Sequence, residues 1–255
     1  MKKLSVLGMM FLTLGLLTAC GESSSSSEAS DSTNSSSSAL EVEESSSPKE
    51  ATILDTMNEF AANTKSSGEI YVTGDIKVGE DQPVKPGIYD LNITGGSGNI
   101  GGDRKDLYGM SINWLGGAVG NEYQYPSVFR VILFEGDSLS FSDISKISLV
   151  AVPKKVTPST ELGNGEYIVG RDIPSGNYKL STNVQLDPEF TNLGWDISIY
   201  DDSTGDTRDQ SLTSENQDVA VALKDGEIIT TSVDTSILND SSITGDNAKL
   251  IFNKM

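Results

Sequence analysis

The chain has 255 residues, with 18 basic and 37 acidic side chains, no histidine, one cysteine and a formal net charge of −19. The missing histidine excludes His-based triads, His general bases and His metal ligands, and a single cysteine cannot close an intramolecular disulfide. The acidic balance opposes binding to nucleic acid and to anionic lipid headgroups.

Lys2 and Lys3 precede an uncharged apolar run from Leu4 to Leu17. The run is short for a membrane-spanning helix, and its flanks are those of a secretory signal. It ends Leu17-Thr18-Ala19-Cys20-Gly21, which resembles the lipobox of bacterial lipoproteins. The resemblance implies a signal peptide over residues 1–19, cleavage between Ala19 and Cys20, and diacylglycerol on the Cys20 sulfur. It puts the mature chain on the extracellular face of the cytoplasmic membrane, attached through N-terminal acyl chains; the short Ser-rich start and the absence of histidine suit a Gram-positive cell surface. With no polybasic patch to supplement the lipid, attachment rests on those chains.

Residues 20–46 carry the lipidated Cys20 and then a segment that is mostly Ser with Glu, Asp, Thr and Asn. Such a polar, acidic, low-complexity segment has too little apolar surface to fold and reads as a disordered tether. From Gly21 to Ser46 its root-mean-square span is roughly 25–30 Å, which keeps the folded part near the membrane.

An amphipathic helix is expected over 47–68. Ser47-Pro48-Lys49-Glu50 has the form of a capping box, and Ile53, Leu54, Met57, Phe60 and Ala61 follow at helical spacing. Its apolar face is short, so packing against the first β-domain is favoured over a membrane-surface or partner-binding role.

Two stretches then organise the rest. Val78-Gly79 leads through Asp81 and Pro86 to Gly87-Ile88-Tyr89-Asp90-Leu91, and Val169-Gly170 leads through Asp172 and Pro174 to Gly176-Asn177-Tyr178-Lys179-Leu180. Pro fixes φ and Gly accepts positive φ, so each copy reads as a turn feeding a strand of period two. Leu133-Phe134-Glu135-Gly136-Asp137 matches Leu223-Lys224-Asp225-Gly226-Glu227 at nearly the same offset, about ninety residues, which argues for internal duplication. The fold class expected is mainly β: two tandem antiparallel β-sandwich-like domains over 69–153 and 160–255, joined by a linker at 154–159. Phe129–Phe134 and Val219–Leu223 read as central strands. Trp195, Ile197 and Ile199 share one strand face, opposite Asp196, Ser198 and Tyr200. The second copy also resembles the accessory β-sandwich domains of secreted bacterial proteins, which implies a binding or folding module. The first copy departs from it by an insertion around Gly95–Gly120.

Motifs of chemistry are sparse. Gly96-Ser97-Gly98-Asn99-Ile100-Gly101 has the spacing of a dinucleotide fingerprint, but no apolar helical period follows it, so a flexible loop is expected. Asp201-Asp202-Ser203-Thr204-Gly205-Asp206 lacks Ca²⁺-loop spacing and reads as a hairpin turn. Trp114 and Trp195 sit among aliphatic residues, in core positions. Tyr123 and Tyr125, in the irregular Tyr123-Gln124-Tyr125-Pro126, are the exposed candidates for ligand stacking. No catalytic residue, metal site or cofactor is assigned. The function expected is a non-catalytic binding module at the membrane or wall, with wall glycan or another surface protein as partner. The alternatives are a carboxylate-dependent hydrolase of wall glycans, for which no carboxylate pair stands out, and a purely structural or assembly role.

Overall fold

The computed structural model describes residues 52–104, 110–238 and 242–255. The expected signal peptide, Cys20, the expected tether and Ser47–Glu50 lie outside the described residues.

Helix α1 (Ile53–Asn63) is shorter than 47–68 and is capped elsewhere than at Ser47. Thr52 accepts from the Asp55 backbone N–H, and Asp55 accepts from the Thr52 N–H, completing a reciprocal box one turn further along. The helix stops at Thr64, whose hydroxyl donates to the Phe60 carbonyl and accepts from the Ile88 N–H. Ser66 and Ser67 then leave the helical path, and their hydroxyls accept from the Ala151 and Leu149 N–H groups.

The strands are β1 (Glu69–Tyr71), β2 (Ile76–Lys77), β3 (Gly87–Asp103), β4 (Ile112–Gly117), β5 (Val128–Leu133) and β6 (Ser138–Ala151) in the first half. The second half has β7 (Glu161–Leu162), β8 (Gly165–Ile168), β9 (Gly176–Thr182), β10 (Gly194–Asp201), β11 (Asp206–Thr213), β12 (Ala220–Leu223), β13 (Ile228–Val233) and β14 (Leu250–Lys254). Pairing between these strands is antiparallel with one exception, so the mainly β, antiparallel reading holds, with a single short α-helix among the described residues.

The duplication is complete strand by strand. Gly87 opposes Leu133 and Tyr89 opposes Val131, just as Gly176 opposes Leu223 and Tyr178 opposes Val221. Lys77 opposes Ser138 as Ile168 opposes Ile228. Ile70 opposes Ile147 as Leu162 opposes Leu250. The long strands β3 and β6 each do the work of two strands in the second copy, β9 with β10 and β13 with β14. The Gly95–Gly120 stretch is therefore no inserted loop. It is the counterpart of β10 and β11, and Gly96–Gly101 lies within strand β3. Glycine is required there because β3 bulges against β6: a Cβ on Gly98 would lie 2.1 Å from the Ser142 carbonyl oxygen.

The turns repeat as well. Gly136 and Gly226 have φ of 88° and 89°. The Phe134 N–H donates to the Asp137 carboxylate and the Lys224 N–H to the Glu227 carboxylate. The Val78 and Val169 N–H groups donate to the carbonyls of Asp137 and Glu227.

Each half has its own core. Tyr89, Leu91, Trp114, Phe129 and Ile147 centre the first, and Tyr178, Leu180, Trp195, Ile197 and Phe252 the second. A ten-stranded sheet runs through both halves. Its join is the parallel pairing of Arg130 on β5 with Gly165 on β8, and β7, β9, β12 and β14 form a separate four-stranded sheet. Helix α1 covers that join. Leu54, Met57, Phe60 and Ala61 cluster with Ile88 and Ile132 of the first half and Ile168, Tyr200 and Ile228 of the second. The helix thus packs on both halves. Tyr200, expected on the face opposite Trp195, is also buried because that face is covered here.

Candidate functional site

The join is held by ions taken out of water. Glu166 is fully buried and accepts from Arg104 Nη2 and from the Ile132 N–H, each at 2.8 Å. Arg104 also donates to the Ile132 carbonyl at 2.8 Å. Beside it, Arg130 reaches Asp90 at 2.6 Å and Asp172 at 3.2 Å, and stacks over the Tyr167 ring. Burial alone would lower the Arg130 pKa, but its hydrogen bond to Asp90 and the Asp90 and Asp172 charges raise it. Burial wins at Arg171, whose pKa is lowered despite its bond to Asp172. Asp172, the aspartate of the repeated motif, is buried in this network, whereas Asp81 at the corresponding place is exposed. These charges neutralise one another and tie the halves together. They form a scaffold, in which Arg104 Nε, Arg171 Nε and Glu166 Oε1 are buried without a hydrogen-bond partner among the described residues.

The open site lies next to it. β4 and β5 run end to end along the same side of β3, while β6 takes the other side. β5 continues into the second half through Arg130 and Gly165; β4 does not. Between β4 and the outer face of β10, β11 and β13 there is a groove made of two adjoining clefts, about 360 and 220 Å³. Its β4 wall is Asn113, Trp114 and Leu115. Its opposite wall is a cross-strand ladder in which Asp196 opposes Ser211 and Ser232, and Ser198 opposes Asp209 and Thr230. The Ser211 hydroxyl donates to Asp196 at 2.9 Å. Asp234 closes one end, and among the described residues no lysine or arginine lines the groove. The bottom of the groove is not an aromatic platform: Trp114 is 4% exposed and stacks face to face on Phe129 at 5.0 Å. Trp195 is fully buried, its indole N–H bound to the Thr182 hydroxyl.

Tyr123 and Tyr125 sit on the loop joining β4 to β5. Tyr123 is 55% exposed and Tyr125 half-buried, and their rings stack on each other at 5.2 Å. A hydrogen bond to Glu122, together with its charge, pushes the Tyr123 hydroxyl pKa up. The loop is braced. Asn121 bonds both the N–H and the carbonyl of Tyr125, and Gln124 between the rings takes a left-handed φ of 58°. The Gly245 N–H donates to the Gln124 carbonyl, and Ser127 is held by Asp246. Pro126, in the same loop, lines the groove, so the tyrosine pair stands near its rim.

Asp201–Asp206 is the hairpin turn between β10 and β11, with the Ser203 N–H and hydroxyl bonding Asp201; those bonds lower the Asp201 pKa. Among the described residues no three acidic or sulfur ligands converge as a metal site would need. Sequence reasoning singled out the tyrosines but not the groove. Its signal, had it been sought, is the alternation of small hydroxyls and acids on the outer faces of β10, β11 and β13. No protein-family model, no curated protein and no solved structure matches the chain.

Proposed function

We propose that the chain is a lipid-anchored surface protein on the extracellular face of the cytoplasmic membrane, with a non-catalytic binding role near the membrane or in the wall. The Leu17–Cys20 sequence and the Ser-rich segment behind it support the location. The observation that carries the binding role is the groove between the halves: a concave surface built jointly by two modules that buried ion pairs hold in fixed relation. A preformed concavity with convergent polar groups is the usual form of a binding site. Tyr123 and Tyr125 are then rim contacts.

Two measurements test this. The intact mass of the native protein should carry diacylglycerol at Cys20, and Cys20→Ser should lose it; an unmodified Cys20 in the native protein removes the anchor. Isolated wall fragments and surface-protein extracts should show saturable binding without turnover. Cleavage of wall fragments, abolished by a single Asp or Glu substitution, would replace the binding module with a hydrolase.

A further inference from the structure

We infer that the partner is a basic, extended polypeptide segment that adds as a strand to the open edge of β4; this rests on the binding role proposed above. The backbone of β4 gives the first argument. Ala118 donates to the Gly96 carbonyl, so in this antiparallel ladder Gly116, Trp114 and Ile112 turn their N–H and C=O groups toward β3. Gly117, Leu115 and Asn113 turn theirs away. Gly117 is satisfied by the Pro126 carbonyl at 3.0 Å, while Leu115 and Asn113 face the groove and pair with no further strand among the described residues.

The duplicated strand gives the second. β11 occupies the position of β4 in the other half, and it is blunted by Asp206, Arg208 and Asp209, as exposed edges usually are. β4, Ile112–Gly117, has no charge and no proline, and its Leu115 is 48% exposed. An undefended edge inside a groove is a template for strand addition.

Charge gives the third. A strand laid along β4 presents alternate side chains to the wall holding Asp196 and Asp209, with Asp234 at the end. Those carboxylates select lysine or arginine and repel an acidic chain, including a second copy of this one. Among the described residues lining the groove no aromatic face is exposed, which disfavours a stacked sugar.

The test uses the full-length protein in detergent micelles and a fluorescent peptide of alternating lysine and valine, read by anisotropy. Saturable, salt-sensitive binding is expected, absent for the glutamate–valine peptide. Leu115→Pro removes an outward N–H and leaves the β3 pairing in place, so affinity should fall about tenfold, the loss of one good hydrogen bond, with an unchanged melting temperature. The double substitution Asp196→Asn, Asp209→Asn should weaken binding comparably and flatten its salt dependence. Equal binding by Leu115→Pro, or by a peptide N-methylated at every amide, overturns strand addition. No peptide binding alongside retained wall-fragment binding overturns it too, while leaving the binding role intact; loss of both removes both.

Discussion

Tyr89 and Tyr178 make the same bond in the two halves: each donates its hydroxyl proton to the carbonyl four residues upstream, Lys85 and Pro174, at 2.8 Å in both. The ring fills the core while the hydroxyl closes the preceding turn. The repeated Gly-x-Tyr is therefore a fold determinant: the tyrosine couples turn geometry to strand register. Tyr89→Phe and Tyr178→Phe should each cost about 1 kcal/mol, the net worth of one intramolecular hydrogen bond. Urea denaturation of both variants checks this. A large cost at one position only would mean that the two turns are not equivalent.

This repeat was legible because turn chemistry is local. Pro, Gly and a period-two strand act within a dozen residues, and a second copy at a similar offset leaves little else to explain it. Ile53, Leu54, Met57 and Phe60 announced helix α1 in the same way. What they could not announce was the surface they cover, because Ile88, Ile168 and Ile228 come together only after both halves have folded. Glu166 and Arg104 were silent for the same reason. In sequence each is one more charge in an acidic chain, and only their meeting across the join makes them a buried pair. The glycines of β3 were misleading, since the looseness that marks a loop also lets a strand bulge against its neighbour.

Gly165 should prove the least replaceable glycine at the join. Its φ is 122°, and a Cβ there would lie 2.2 Å from the Arg130 carbonyl oxygen and 2.5 Å from the Arg130 nitrogen. Neither contact is a side chain that can move aside. Gly165→Ala should cost at least about 2 kcal/mol in backbone strain, and more from separating β5 from β8. Thermal unfolding should then lose cooperativity between the halves. A sharp single transition within about 1 kcal/mol of the parent, inside the ordinary range for a substitution, would disprove it.

Tyr167 makes stability sensitive to alkali. Burial pushes its hydroxyl up to about 12, with the Arg130 guanidinium opposing the shift. The unfolded chain titrates this group near about 10. Below that pH both states keep the proton, and the group's contribution is fully present. As pH rises from about 10 through 12, the unfolded state loses a proton the fold retains, so stability falls, by up to ~2 kcal/mol. Tyr167→Phe should remove this share of the loss, with Tyr89 and Tyr200, also raised by burial, keeping theirs. Denaturant midpoints stepped through this pH range, with tyrosinate absorbance on the native protein, decide it. Identical alkaline slopes in parent and variant would rule Tyr167 out.

The side chains of Arg104 and Glu166 are 1% and 0% exposed, 2.8 Å apart and on opposite sides of the join. Removing one partner strands the other charge out of water, so Glu166→Ala and Arg104→Ala should each cost about 3–5 kcal/mol. Replacing both with apolar residues, Arg104→Met with Glu166→Leu, relieves the buried charge and should recover most of that loss, leaving the Ile132 N–H and carbonyl as the remaining deficit. A double-mutant cycle by chemical denaturation measures the coupling, and additive costs would show that the pair is not the tie between the halves. The recovered variant also separates two roles for the ions. If it is stable and its groove still binds the lysine–valine peptide, the charges serve only to hold the halves. If it is stable but has lost binding, the ion pair also fixes how far the β4 edge stands from the Asp196 and Asp209 wall.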